Sequence, residues 1–122
     1  MDIYEFKNYK TYLKKILSTK GVERGSRSKL AKNLNCQTGF ISQVLNGDTH
    51  FSLEHCIKIC DFLNLSKDEK HYFMLLVQME KAGSNDLRNY YLVQIENILK
   101  ERGEIKNRIK VDSKISEKEY LR

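Results

Sequence analysis

Thr38, Gly39, Ser42, Gln43 and Asn46 recur at helical spacing, so they share one face of a short helix spanning about 38–46, while Phe40, Ile41, Val44 and Leu45 occupy the other. Short polar and amide side chains on the outside of a helix suit the major groove of duplex DNA, where each base pair presents its own row of donors and acceptors. Gln43 is the best placed reader. Its amide can bond at once to N6 and N7 of adenine, a contact worth roughly 1–3 kcal/mol of discrimination. Gln37, Thr38 and Ser42 lie near the same end, within reach of base edges or phosphates. Together with Gly39 and Asn46 they complete the face expected against the bases.

A second set stands just upstream. Arg27 and the backbone N–H groups that follow Ser26 lie at the start of a short helix, where unpaired donors and the helix dipole favour an anion. Ser28, Lys29 and Lys32 stand beside them, so Ser26, Arg27, Ser28, Lys29 and Lys32 are the expected phosphate contacts. The charge distribution agrees. Residues 7–32 carry nine Lys and Arg against Glu23 alone, a net of +8, although the whole chain carries only +6 because residues 48–96 hold eight acids and five bases. A basic third of this kind is the electrostatic footprint of an element facing phosphates. A solvated, lysine-rich helix face would give the same count.

The remaining reactive side chains point elsewhere. Cys56 and Cys60 stand four residues apart with His50 and His55 nearby, but structural zinc needs four ligands and both thiols fall on the apolar face of their helix. Cys36 falls at a core position, where thiols are inert. No metal or cofactor is expected. The sequence contains no Gly-rich phosphate loop and no nucleophile with an evident base, which argues against an enzyme. Three cysteines without disulfide-like spacing fit a reducing compartment. The longest apolar run, Tyr72 to Val77, is far too short to span a bilayer, and the lysine-rich first 20 residues do not read as a signal peptide. A cytoplasmic protein with no membrane partner is therefore expected.

Helices must position these residues, and nothing in the 122-residue chain forbids them: proline is absent and 40% of residues are apolar. Ile3, Phe6, Tyr9, Leu13, Ile16 and Leu17 predict one amphipathic helix over 3–19, ended near Gly21. Ser26 offers an N-cap to a helix with Leu30, Ala31 and Leu34 inward, and Asn35 can take a left-handed exit. Asn46-Gly47 closes the 38–46 helix. Ser52 caps a helix to about Leu63, with Leu53, Cys56, Ile57, Ile59, Cys60 and Leu63 mostly inward. Ser66 to Glu69 is a capping box opening an apolar helix to Ala82. Gly83 ends it, and Ser84 starts a last helix to about Arg102. On that helix Leu87, Tyr91 and Ile98 line one face and Leu92, Ile95 and Leu99 an adjacent one, wide enough to meet both the domain body and a second subunit. Gly103 to Arg122 fits a strand-like or a helical connector equally well.

Two short helices joined by a tight turn, with Leu30, Ala31, Leu34, Cys36, Ile41 and Val44 inward, make the pattern of a helix-turn-helix. Ala31 is small where the second helix must pack closely. The stretch Ser26-Arg27-Ser28-Lys29-Leu30-Ala31-Lys32-Asn33-Leu34-Asn35-Cys36-Gln37-Thr38-Gly39-Phe40-Ile41-Ser42-Gln43-Val44-Leu45-Asn46-Gly47, with Ser52-Leu53 and Ile59-Cys60-Asp61-Phe62-Leu63, resembles the λ-repressor-like (Cro/repressor type) helix-turn-helix family over about residues 22–66. Asn35 stands where that family usually has glycine, and asparagine tolerates the same backbone. Tyr4, Phe6, Tyr9, Tyr12-Leu13, Ile41-Ser42-Gln43-Val44-Leu45, Tyr72-Phe73, Leu76-Val77, Ala82-Gly83 and Leu87-Arg88 with Tyr90-Tyr91 are further similar to the N-terminal part of an uncharacterised bacterial family. There such a region precedes a longer domain of unknown function.

These resemblances imply an all-α protein: a five-helix λ-repressor-like helix-turn-helix domain over 1–66, then additional C-terminal helices over 67–122 that dimerise and connect. They imply a homodimeric repressor of transcription bound to double-stranded DNA, with an unknown effector or a C-terminal sensing domain in a longer protein. The competing expectation is a protein-protein interaction module, an antitoxin or a regulator of another factor.

Overall fold

Asn8 splits the N-terminal amphipathic stretch in two. Its Oδ1 accepts from the backbone N–H groups of Lys10 at 2.9 Å and Thr11 at 3.1 Å, an N-cap that starts helix α1 (Tyr9–Ser18) only at the following residue. Upstream, Asp2 caps a single 3-10 turn, Ile3–Glu5, through the Tyr4 N–H. Between them Phe6 is extended, and its carbonyl accepts from the buried Tyr72 hydroxyl. The single helix expected over 3–19 is therefore a turn, a joint and a shorter helix, because a local side-chain cap and a tertiary donor claim the groups a continuous helix would pair.

A computed structural model of the chain describes residues 2–18 and 26–120, with 104–120 as helical backbone without their side chains. The expected helix end near Gly21, and the flank in which a Ser26 cap would be judged, lie outside the described residues. After α1 come α2 (Ser26–Leu34), α3 (Thr38–Asn46), α4 (Leu53–Phe62), α5 (Lys67–Lys81) and α6 (Asn85–Tyr120). Among the described residues every regular element is helical. The described residues of 1–66, the stretch expected to hold five helices, form four α-helices and the 3-10 turn.

Helices α2 and α4 end alike. Asn35 and Asn64 both sit at φ 56°, and each is followed by a backbone bond reaching back over the last turn, Cys36 N–H to Ala31 O at 2.9 Å and Leu65 N–H to Cys60 O at 3.0 Å. Both are left-handed helix exits that turn the chain sharply and satisfy late carbonyls. The first was legible from Leu34-Asn35-Cys36; the second, Leu63-Asn64-Leu65, repeats it.

One hydrophobic cluster holds the helices together. Tyr9, Tyr12 and Leu13 of α1, Leu30 and Leu34 of α2, Ile41 and Val44 of α3, Cys56, Ile59 and Cys60 of α4 and Tyr72, Phe73, Leu76 and Val77 of α5 are all essentially sealed from solvent. Rings meet edge to face at its centre, Phe73 with Tyr9 at 6.0 Å and with Tyr12 at 6.3 Å. Burial pushes the Tyr12 and Tyr72 phenols up to about 12, so both stay protonated.

Two sequence expectations about α4 fail. Leu53 and Ile57 are 42% and 39% exposed. Ser52 caps the helix as expected, accepting the His55 N–H at 3.1 Å, but the apolar stripe is wider than the surface that α2 and α5 cover. Cys56, Ile59 and Cys60 take the covered part.

The capping box of α5 forms, with Ser66 Oγ accepting the Glu69 N–H at 3.2 Å and Glu69 Oε1 accepting the Ser66 N–H at 2.8 Å. Ser84 Oγ then accepts the Leu87 N–H at the start of α6. Helix α6 does not stop near Arg102. It runs 36 residues, about 54 Å at 1.5 Å per residue, against about 22 Å for the α5 helix on which it packs. That resolves Gly103–Tyr120 as helix rather than strand. Ile95 is fully buried and Tyr91, Leu92, Ile98 and Leu99 are half-buried against the core, while Leu87, Tyr90 and Val93 are exposed. The Arg102 guanidinium lies 3.6 Å over the Tyr4 ring and 4.0 Å from the Asp2 carboxylate, fastening α6 to the N-terminal turn. Among the described residues no helix is long and apolar enough to cross a membrane.

Because left-handed backbone is strained for a side chain that cannot bond locally, Asn35→Ala and Asn64→Ala should each cost about 1–2 kcal/mol. Asn35→Gly and Asn64→Gly should not, and urea midpoints of the four variants would read the difference.

Candidate nucleic-acid interface

Two short helices and the turn between them carry every residue expected to meet DNA. Helix α3 turns Ile41, Val44 and Leu45 into the core and leaves Thr38, Gly39, Gln43 and Asn46 exposed. Gln37 is the N-cap, extended at φ −84° and ψ 149°, and its exposed side chain makes no capping bond. Ser42 is half-buried, and its Oγ accepts a hydrogen bond from Arg27 Nη1 at 3.0 Å. That bond joins α2 to α3 and sets Arg27 beside the outward face. Ser28, Lys29 and Lys32 are exposed on α2. Ser26 departs from the expected group: at 8% exposure it belongs to the packed side of α2, so its side chain is withdrawn as a phosphate contact.

From beneath, α3 rests on rings. Phe40 meets Phe51 at 5.9 Å and His55 at 6.1 Å, both edge to face. Its far end is held by α1. Lys10 Nζ donates to Gly47 O at 2.6 Å and to Thr49 O at 2.8 Å, placing a cation at the carbonyl end of α3, where the dipole favours it. Desolvation lowers the Lys10 pKa. Gly47 itself is required by close approach, because a Cβ there would sit 2.9 Å from the Gln43 carbonyl oxygen.

The sequence counted Lys10 only as one more positive charge near the phosphates, whereas its ammonium is held by two protein carbonyls. Its partners lie 37 and 39 residues away, and no periodicity reports a contact at that separation. The same is true of Tyr9, whose hydroxyl shares a 2.7 Å hydrogen bond with His50 Nδ1, 41 residues on. Burial raises the Tyr9 phenol far above its usual range, so with His50 neutral the O–H donates to Nδ1.

The thiols are not chemically poised. Cys56 and Cys60 are fully buried and burial pushes both up to about 12, far from the thiolate form that binds metal or attacks. A cleft of about 430 Å³ lies away from α3, between the N-terminal turn and the start of α5, lined by Asp2, Tyr4, Ser66, Asp68, Glu69 and Arg102. Its carboxylates surround a single guanidinium, an acidic lining opposite in sign to the α2–α3 surface.

His50 gives the far end of α3 a pH dependence. Burial, and then the Lys10 charge, hold its pKa below the ordinary 6.5. The folded state therefore takes up this proton less readily than the unfolded chain, so the associated stability is present above about pH 6.5 and is lost as pH falls through the depressed value. Urea midpoints measured from pH 7.5 to 5.5 should fall more steeply for the wild type than for His50→Gln, which keeps a hydrogen-bonding amide but does not titrate. Equal slopes would remove His50 as the cause. Compared with known proteins, no family model, no curated protein and no solved structure matches this chain.

Proposed function

We propose that the chain is a sequence-specific, double-stranded DNA-binding regulator of transcription, a repressor, in which α2 and α3 act as a helix-turn-helix of the λ-repressor-like kind. In this reading α3 enters the major groove with Gln37, Thr38, Gly39, Ser42, Gln43 and Asn46 toward base edges. Arg27, Ser28, Lys29 and Lys32 take the flanking phosphates. The observation that supports it is the joining of an exposed amide-bearing face on α3 to a cationic surface on α2 through the Arg27–Ser42 bond. Such a protein acts in the bacterial cytoplasm.

Homodimer formation belongs to the same proposal, since two α3 helices set about 34–36 Å apart would meet successive major grooves. Helix α6, with Leu87, Tyr90 and Val93 exposed, is the surface offered for it. The exposed Leu53 and Ile57 favour a second reading, a module whose helical surface binds another protein. Salt separates the two: counterion release makes DNA affinity fall steeply with ionic strength, and an apolar protein interface lacks that dependence.

In vitro selection of duplexes with the wild-type protein, followed by titration of the selected site, tests the proposal. Gln43→Ala should relax preference at one base position by roughly 1–3 kcal/mol. Lys32→Ala should weaken all duplexes alike and lower the salt slope by about one. Failure to enrich any duplex at low salt, together with a co-purifying protein partner, would favour the interaction module.

A further inference from the structure

Among the described residues, no packing requires a glycine at position 39. It sits within the regular helix α3, where glycine lowers stability relative to alanine. Among the described residues a Cβ built on it meets nothing within 4 Å, whereas at Gly47, the C-cap of the same helix, a Cβ would sit 2.9 Å from the Gln43 carbonyl oxygen. Internal packing explains the second glycine and leaves the first without a reason among the described residues. Gly103 on α6 is equally open, but it lies outside the face considered for binding.

Its position supplies a reason. At 100° per residue, Gly39 points almost directly away from the mean direction of the buried Ile41, Val44 and Leu45. It therefore occupies the crest of the exposed face, between Ser42 and Gln43 one turn on. By the same count Asn46, Gln43 and Ser42 lie about 20°, 40° and 60° from the crest, and Thr38 and Phe40 about 100° to either side. Gly39 alone on this strip lacks a Cβ, so a body packing over the first turn of the helix can come closer to its backbone by about one carbon–carbon bond.

Resting on the DNA-binding reading, we propose that Gly39 is a positioning residue: its bare backbone is the point of closest approach between α3 and the floor of the major groove. That approach sets the depth at which Gln43 reaches a base edge. The groove admits a helix with little room to spare, so a side chain at the crest props the helix outward. Gln43 then falls short of the bidentate contact that carries base discrimination.

The test uses a duplex selected by the wild-type protein, with affinity read by fluorescence anisotropy and stability by thermal melting. Gly39→Ala and Gly39→Leu, both good helix formers, should raise the melting midpoint and yet weaken binding. The alanine should cost roughly tenfold, comparable with losing one bidentate base contact, and leucine more. Gain in stability with loss of affinity excludes misfolding as the cause. If Gly39→Ala is more stable and binds the selected duplex as tightly as the wild type, the inference is overturned while the DNA-binding reading stands. If the wild type enriches no duplex, the DNA-binding reading itself fails and this inference falls with it.

Discussion

The Tyr9 side chain joins three parts of the chain at one point, and the geometry around α3 depends on it. Its ring packs on Phe73 of α5, its hydroxyl bonds His50 in the loop after α3, and its own helix carries Lys10 to the carbonyls of Gly47 and Thr49. A phenol suits this place because it brings a large apolar ring into the core and still satisfies a polar partner at the boundary. Phenylalanine would keep the ring contact and strand the imidazole nitrogen; a smaller side chain would open a cavity between α1 and α5. The loop after α3 is thus held from behind, by residues 37 to 41 positions earlier in the chain.

Held in this way, α3 has its inner side, its base and its far end occupied by protein. Ile41 and Val44 fill the core, Phe40 rests on Phe51 and His55, and Lys10 closes the carbonyl end. What is left over is the polar stripe and its α2 flank. The Arg27–Ser42 bond crosses between them, so the cation of α2 is tied to the polar face of α3. Rigid placement of this kind lowers the entropy cost of docking, since fewer side chains must be ordered on contact.

Most of the fold was legible because it is locally encoded. Capping serines, the Ser66–Glu69 box, the left-handed Asn35 and the two-faced pattern of 38–46 all act within a turn or two of helix, the range over which sequence periodicity speaks. The mistakes come chiefly from tertiary competition, joined in one place by a local cap. Asn8 and the Tyr72 hydroxyl interrupted an amphipathic stretch whose spacing was continuous, and α4 carried more apolar surface than its neighbours cover. Ser26 was placed among the phosphate contacts by its position at the start of α2, and its side chain is buried there. Of the candidate interface, the outward residues of α3 were readable, whereas the Lys10, Tyr9–His50 and Arg27–Ser42 links were not. Each spans 15 or more residues and leaves no periodic trace.

The length of α6 gives the molecule a mechanical element. Its first part is pinned along α5, and Arg102, clasped between the Tyr4 ring and Asp2, is the last of its described side chains fastened to the body. Roughly 27 Å of helix continues past that clasp. A stiff rod anchored along one portion is a lever, and Arg102 is its fulcrum. A tilt of about 5° there would carry the distal end through roughly 2 Å. In the other direction, a force applied at that end would arrive, concentrated, on the N-terminal turn that packs against Tyr72 and leads into α1.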